Sequence, residues 1–340
     1  MTLTTTSFGC SGAGASAHIP TTWSSWTNEK GYTKMRTLIR SLSVAAFGMV
    51  LAAGLVVSPA VAAIDIVAAT PELADITKQV GGDKVSVYSI AKPNQDYHMI
   101  EPRPSDVSRI SRADMVVRIG LDLDMWLDAL MNAASNPRVR KGAAGYVDAS
   151  VGVSKLEIPK ESITGASGDI HVYGNPHYFY DPDNGKIIAH NVLDGLIRVS
   201  PGNKAAFQAN YQRFAKEIDQ RTAAWERELA PYKGKRVVTY HQSAIYFIRR
   251  FGLRGFGTLE VKPGIPPSAS HVADLIRRMK DEHVTAMAIE SIYPKRFPDL
   301  ITRETGAKYV VVPYSVGSLG TKSYIDLIDM WVTRYKDALR

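Results

Sequence analysis

The sequence predicts an α/β fold with two lobes, each a parallel β-sheet flanked by helices, and a long helix between them. Short apolar runs alternate with amphipathic helical patterns in two rounds, at 64–134 and 236–339. Strands that alternate with helices pair in parallel through crossover connections. The segment 201–229 is charged and rich in good helix formers, which is typical of a strut between lobes rather than a core helix. A chain of 340 residues is long enough for two such lobes.

The elements of the first round follow from local patterns. Leu73, Ile76 and Val80 have helical spacing, and the glycines at 81 and 82 end that helix. We predict strands at 64–69, 84–90 and 115–119, helices at 71–80, 105–113 and 123–134, and a polar loop at 150–175 followed by helices at 185–199 and 201–229.

The second round repeats the alternation without a visible internal sequence repeat. We predict strands at 236–240, 256–261, 286–289 and 309–312, with helices at 244–250, 268–282, 297–305 and 323–339. This pattern divides the chain into an N-terminal lobe at 64–200, a linking helix at 201–230 and a C-terminal lobe at 231–340.

The region before the first lobe has the pattern of a secretory signal. A basic start after Met35 leads into an apolar run at 42–57 and an Ala-Val-Ala-Ala exit at 60–63. The run is shorter than the roughly 20 residues of a membrane-spanning helix. We therefore predict a signal peptide at 35–63 in preference to a membrane anchor, and we interpret residues 1–34 as a non-native or mis-assigned leader.

Cysteine content and charge restrict the possible functions. The only cysteine, Cys10, precedes the signal, so the exported chain would contain no disulfide, no thiolate metal ligand and no cysteine to carry a lipid. We expect a protein that is free in the periplasm. The formal charge is +8, but Lys and Arg are scattered without an aromatic-interleaved basic block. This pattern predicts a solvated basic surface and no nucleic-acid partner.

Polar residues at predicted strand ends form a candidate metal site. His98 lies shortly after the strand 84–90, His241 directly follows the strand 236–240, and Glu290 directly follows the strand 286–289. His177 precedes the first long helix. Ligands of parallel sheets bind outside the carboxyl ends of the strands, and imidazoles with a carboxylate suit Zn²⁺. Each histidine taken alone is more often a surface or hydrogen-bonding residue than a metal ligand.

Weaker signals come from the other acids and histidines. Asp169 and His171 lie in the polar loop, where metal capture is one interpretation and a plain surface loop is the favoured one. Glu260, in the predicted strand 256–261, could line the cleft. Structural roles are predicted for the histidines within helices or at a helix end, His190, His271 and His283.

The chain from about Ile64 onward resembles the periplasmic solute-binding proteins of zinc and manganese ABC importers, the cluster A-I family. The resemblance rests on motifs in the family's order: Tyr97-His98, Glu101-Pro102, Pro104-Ser105-Asp106, Asn175-Pro176-His177, Asp181-Pro182, Tyr240-His241, Tyr246, Phe251-Gly252-Leu253, Pro266-Pro267-Ser268 and Glu304-Thr305-Gly306-Ala307-Lys308.

This resemblance implies that two lobes joined by a long rigid helix hold a metal ion in the cleft between them. It assigns His98, His177 and His241 as ligands, and a histidine at the third position favours Zn²⁺ over Mn²⁺ as the transported ligand. It also implies delivery to an ABC permease in the inner membrane. A periplasmic metallochaperone is a further candidate partner, and we expect a monomer.

The chain departs from the family at the fourth ligand. The family's Asp follows the last strand, but here that stretch, 312–317, contains no carboxylate. Glu290 is the first candidate to replace it, either as a ligand or as a group that orients a histidine.

Two other functions compete with that of a non-enzymatic zinc receptor. A secreted zinc-dependent hydrolase would use the same histidines, but it would need an open coordination position and a general base, and no His-Glu-x-x-His or Gly-x-Ser-x-Gly motif occurs. A Mn²⁺-specific binding protein or an adhesin of the same fold is the other alternative.

Overall fold

A computed structural model describes residues 63–160, 171–262 and 264–340. The predicted leader, all of the predicted signal peptide except Ala63, and Asp169 lie outside these residues. None of the helices in the described ranges is long and apolar enough to cross a membrane.

The first lobe contains a four-stranded parallel sheet. Its strands are β1 (Ile64–Ala68), β2 (Val85–Ser89), β3 (Met115–Arg118) and β4 (Tyr146–Asp148), in the order β2-β1-β3-β4. The helices are α1 (Pro71–Gly81), α2 (Pro104–Arg112), α3 (Trp126–Ala134) and α4 (Pro182–Val199). Strand β4 is not among the strands predicted from the sequence, because three residues are too few to show an alternating pattern.

The second lobe repeats this architecture. Its strands are β5 (Arg236–Thr239), β6 (Arg254–Thr258), β7 (Ala286–Glu290) and β8 (Lys308–Val312), all parallel and in the order β6-β5-β7-β8. The helices are α6 (Ile245–Arg250), α7 (Ala269–Asp281), α8 (Arg296–Thr305) and α9 (Tyr324–Leu339). The predicted fold class, with two parallel sheets and a long helix between them, is confirmed.

The two central strands of the second sheet, β5 and β7, are buried on both faces, as is typical of parallel sheets. Successive residues of a strand point to opposite faces. Val237 packs into the larger core that continues from the first lobe, whereas Val238 packs into a smaller core with Leu275 of α7. This double burial explains why β5 and β7 are nearly continuous apolar runs.

The long helix α5 (Lys204–Leu229) has 26 residues, preceded and followed by short 3₁₀ turns. Its buried side chains recur at helical spacing along one stripe, at Phe207, Phe214, Ile218, Thr222, Trp225 and Leu229. This stripe packs against α1, α4 and α9, so the helix contacts elements from both rounds of the chain. The remaining surface of α5 is largely exposed, as the charged sequence predicts.

Two strand boundaries differ from the prediction and move acidic residues. Strand β6 ends at Thr258, so Glu260 lies beyond the strand rather than within it. Strand β7 extends by one residue and ends on Glu290. Both carboxylates therefore lie at the carboxyl end of the second sheet.

One glycine of α4 sits against the closing helix. A Cβ at Gly185 would lie 2.5 Å from Cε1 of Tyr324, a fully buried ring whose hydroxyl donates to the Phe179 carbonyl. We expect Gly185→Ala to lower the free energy of unfolding by about 1–3 kcal/mol, because an overpacked core must shift. Gly202→Ala is the matched control, since a Cβ there meets nothing within 4 Å. Equal urea midpoints for the two variants would contradict this packing.

Candidate metal centre

His98 is carried by a short 3₁₀ turn, Tyr97–Met99, that follows β2. Asp96 caps this turn, and its Oδ1 accepts the backbone N–H of His98 at 3.0 Å. The same oxygen lies 2.8 Å from Nδ1 of the His98 ring. A carboxylate can only accept here, so the ring donates Nδ1–H and keeps its lone pair at Nε2.

His177 repeats this arrangement with an amide in place of the carboxylate. Oδ1 of Asn175 accepts both the backbone N–H and the ring Nδ1–H of His177, each at 3.0 Å. Nδ2 of Asn175 donates to the Gln242 carbonyl at 3.0 Å, next to His241 in the chain. The His177 turn is thereby tied directly to the second lobe.

His241 directly follows β5, and its Nδ1 lies 2.7 Å from Oε2 of Glu260. Glu260 is buried and comes two residues after the end of β6, the strand that pairs with β5. Adjacent parallel strands end at the same edge, which brings this histidine and this carboxylate together. Glu260 thus holds the ring of a predicted ligand.

The three histidines converge although they are far apart in sequence. One ligand atom from each lies within 4.8 Å of those of the other two, and the ring centroids are 5.1–5.4 Å apart. Nε2 of His177 is buried and has no hydrogen-bond partner among the described residues. Burial, followed by the nearby His241 and His98, holds the pKa of His177 well below its usual range. The His177 imidazole is therefore uncharged at neutral pH and can offer a nitrogen lone pair to a metal ion.

A fourth imidazole lies beside this group. Nε2 of His171 is 3.1 Å from Nε2 of His98, and its Nδ1 is 2.6 Å from Oδ1 of Asp122. The sequence pattern favoured a plain surface loop at this position. The structure instead places His171 at the cluster, with a carboxylate on Nδ1 like those of His98 and His241. Its spacing of six residues before His177 carried no recognisable ligand signal.

Glu290 lies outside the three-histidine group. Its Oε1 accepts a hydrogen bond from the Ser243 hydroxyl, and its Oε2 is buried without a partner among the described residues. Burial raises the pKa of Glu290 to about 7. The Nδ1 atoms of the histidines are held by other residues, so the geometry does not show Glu290 orienting an imidazole.

The stretch 312–317, where the family's Asp is missing, has a structural role in this chain. The Tyr314 hydroxyl accepts the backbone N–H of Tyr97 at 3.1 Å, and the two rings lie 4.8 Å apart. Tyr314 therefore supports the turn that carries His98.

The other histidines of the described ranges, at 190, 271 and 283, are not part of this group. His190 is about half exposed on α4 and lies 3.5 Å from Asp194. Nε2 of His271 lies 2.9 Å from the Thr258 carbonyl. His283 follows the end of α7 in a left-handed conformation.

Comparison with known proteins identifies the family of this chain. The family model for ZnuA, the zinc-uptake complex component A, periplasmic, matches residues 66–338. The chain belongs to this family. The metal ABC transporter substrate-binding lipoprotein of Lactococcus lactis subsp. lactis is 26% identical over 250 residues, which are 72% of this chain and 76% of that protein. The iron-binding protein YfeA of Yersinia pestis is 26% identical over 267 residues, 76% of this chain and 80% of that protein.

Solved structures of the family share the fold. A crystal structure of ZnuA superposes with a TM-score of 0.71 at 25% identity, and the match covers 82% of this chain and 100% of that one. The similarity therefore extends over both sheets and the long helix.

In this member of the ZnuA family, a buried carboxyl links the His98 turn to both lobes. Glu72 in α1 accepts hydrogen bonds from the Tyr97 hydroxyl at 2.7–2.8 Å and from the Val316 backbone N–H at 3.2 Å. Burial raises the pKa of Glu72 from an ordinary 4.5 to about 7. Between these two pH values, Glu72 is therefore protonated in the folded protein and ionised in the unfolded chain.

The difference in the pKa of Glu72 between the folded and unfolded states makes the free energy of unfolding depend on pH. The stabilisation is fully present below pH 4.5 and is lost as the pH rises through 7, by about 3 kcal/mol. Glu72→Gln does not titrate, so the stability difference between the metal-free parent and this variant should change by about that amount over the range. Urea unfolding at several pH values measures it, and the exposed Glu101→Gln is the control. A constant difference would contradict a proton held on Glu72.

Proposed function

We propose that this protein captures one Zn²⁺ ion through His98, His177 and His241 and delivers it to a metal ABC importer. The substrate-binding role follows from membership of the family of periplasmic zinc-uptake components, and homologous substrate-binding proteins of metal importers support it. The single observation that carries the zinc assignment is the convergence of three imidazoles whose Nδ1 atoms are all held by fixed oxygens.

The donor chemistry supports zinc as the cargo. Neutral imidazole nitrogens suit Zn²⁺, whereas Mn²⁺ favours carboxylate, carbonyl and water ligands. Two nitrogens bound at 2.0–2.1 Å to one tetrahedral ion lie about 3.3 Å apart. The three ligand atoms lie within 4.8 Å of one another, so each pair would approach by at most about 1.5 Å to reach that spacing.

The charge of the ion is offset outside the coordination shell. Asp96 and Glu260 accept hydrogen bonds from His98 and His241, which makes these imidazoles more basic and places negative charge near the metal. A divalent ion on neutral ligands in a partly dry cleft would otherwise be costly.

The receiving partner of this role is the importer's permease and ATPase. Two expectations stay predictions, a periplasmic metallochaperone as zinc donor and a monomeric state. We propose that the exported protein is free of a lipid anchor, since its only cysteine precedes the apolar run, whereas relatives such as that of Lactococcus lactis are named lipoproteins. We also propose that it performs no catalysis.

Single replacements test the three ligands. We expect His98→Ala, His177→Ala and His241→Ala each to weaken zinc binding by roughly 100-fold or more, because each removes a directly bound nitrogen. Competition titration with a chromophoric chelator measures the affinity. His190→Ala is the matched control, a half-exposed histidine away from the site. Parent-like affinity in all three variants would refute the assignment.

The identity of the cargo is tested by metal competition. We expect Zn²⁺ to displace Mn²⁺ at equimolar concentration, since nitrogen ligands favour zinc in the general affinity order of divalent ions. Metal analysis of protein purified from the periplasm should find zinc at one equivalent. Manganese in the purified protein, retained against zinc, would favour the manganese-specific alternative.

Replacements of Glu260, the hydrogen-bond partner of His241, should reduce zinc affinity by different amounts. Glu260→Ala should reduce zinc affinity 10–100-fold, the range typical when a group that orients a ligand is lost. Glu260→Gln should recover much of this affinity, because an amide oxygen can still accept Nδ1–H, as Asn175 does for His177. The same titration distinguishes these outcomes, and equal losses for Gln and Ala would argue against an orienting role.

A further inference from the structure

We propose that His171 supplies the fourth nitrogen to the zinc ion and that Asp122 positions it. This inference rests on the proposed three-histidine site. The family resemblance predicts a carboxylate ligand in 312–317, which that stretch does not contain. We infer that a histidine of the polar loop takes its place, so that all four ligands are imidazoles.

The first observation is the distance between two ring nitrogens. Nε2 of His171 lies 3.1 Å from Nε2 of His98, close to the spacing of about 3.3 Å expected for two ligands of one tetrahedral zinc ion. The His171 ring centroid is 5.2 Å from that of His98 and 6.4 Å from that of His177. His171 thus lies on the His98 side of the group, and binding a shared ion draws it toward His177.

The second observation concerns the orientation of the two rings. His98 and His171 each turn Nδ1 toward a carboxylate, at Asp96 and Asp122 respectively. Their Nε2 atoms therefore point toward each other, 3.1 Å apart. Both rings present the same nitrogen to a common position, as two ligands of one zinc ion do.

The third observation is that Asp122 is held in place by a constrained turn. Gly120, Leu121 and Asp122 have consecutive positive φ angles of 77°, 50° and 59°. Non-glycine residues adopt this region at a cost, and such strain persists where the surroundings enforce it. Here Asp124 enforces it, because its carboxylate accepts the backbone N–H groups of Ile119 and Gly120 at 2.6 and 3.3 Å.

Asp122 then fixes the His171 segment at two points. Oδ1 faces Nδ1 of His171, and Oδ2 accepts the backbone N–H of Val172 at 2.9 Å. The side chains of Asp122 and His171 are both 13% exposed. This double contact matches the way in which Asp96 and Asn175 each hold a ring nitrogen and a backbone N–H. The His171 segment is therefore supported by the same device as two of the three proposed ligands.

The direct test counts imidazoles around the bound ion. X-ray absorption spectra of the zinc-loaded, full-length exported protein should fit four imidazoles in the parent and three in His171→Ala, with an oxygen in the vacated position. The affinity of His171→Ala for Zn²⁺ should fall by roughly 100-fold or more. Loss of a residue that only orients a ligand typically reduces metal affinity by 10–100-fold. His190→Ala is the matched control and should resemble the parent in both measurements.

Variants of Asp122 test its positioning role separately. Asp122→Ala should lose 10–100-fold in zinc affinity, whereas Asp122→Asn should retain most of it, because an amide oxygen still accepts Nδ1–H. The visible spectrum of the Co²⁺-loaded form provides a second readout. It should shift toward a site with one fewer nitrogen in His171→Ala and Asp122→Ala, but not in Asp122→Asn.

The outcomes separate this inference from the proposed function. Three imidazoles in the parent, with unchanged zinc affinity in His171→Ala, would overturn the role of His171 while His98→Ala still abolishes tight binding. If Glu290→Gln in addition removes an oxygen ligand, Glu290 is the fourth ligand instead. A parent that fails to bind zinc, or whose affinity ignores His98, His177 and His241, would overturn the proposed function itself.

Discussion

The site depends on one repeated constraint, an oxygen that fixes Nδ1 of each imidazole. Imidazole has two nitrogens, and a metal ligand must present one of them as a lone pair. In this protein Asp96, Asn175, Glu260 and Asp122 each take the Nδ1–H of one histidine. That choice leaves Nε2 of every ring for the ion and restricts the rotation of the ring. A histidine without such a partner would bind the ion more weakly, because its ring would have to be ordered on binding.

The parallel sheets supply these oxygens because strand ends gather at one edge. Asp96 and Asp122 lie in the connections after β2 and β3, while His241 and Glu260 follow β5 and β6. His241 and Glu260 therefore come from neighbouring strands of one sheet, whereas Asp96 and His98 share the connection after β2. Bonds that cross between the lobes, such as that from Asn175 to the Gln242 carbonyl, then bring the two half-sites together. The fold thus provides both the ligands and their orientation.

The sequence alone predicted the fold class, because strand–helix alternation shows in periodicity. The three histidines were assigned to one site by the family resemblance, which was added to weaker local signals such as the position of His241 directly after a strand. The sequence pattern missed β4, which is too short for a period, and it placed Glu260 within a strand that ends at Thr258. It also favoured a surface role for His171, because the contact between that loop and Asp122 joins residues 49 positions apart. Such a contact is set by the strained turn at 120–122, which no local pattern indicates.

Residues 312–317 contain no carboxylate at the position where the family resemblance predicts an Asp. In its place Tyr314 packs on Tyr97 and accepts a backbone N–H, so that the segment supports the His98 turn. In the proposed site, carboxylates lie instead behind the imidazoles, at Asp96, Glu260 and Asp122. Charge placed behind neutral nitrogens still stabilises a divalent ion, but it offers no oxygen to the metal. Since Mn²⁺ relies on oxygen ligands more than Zn²⁺ does, this arrangement favours zinc through the type of donor rather than through the total charge.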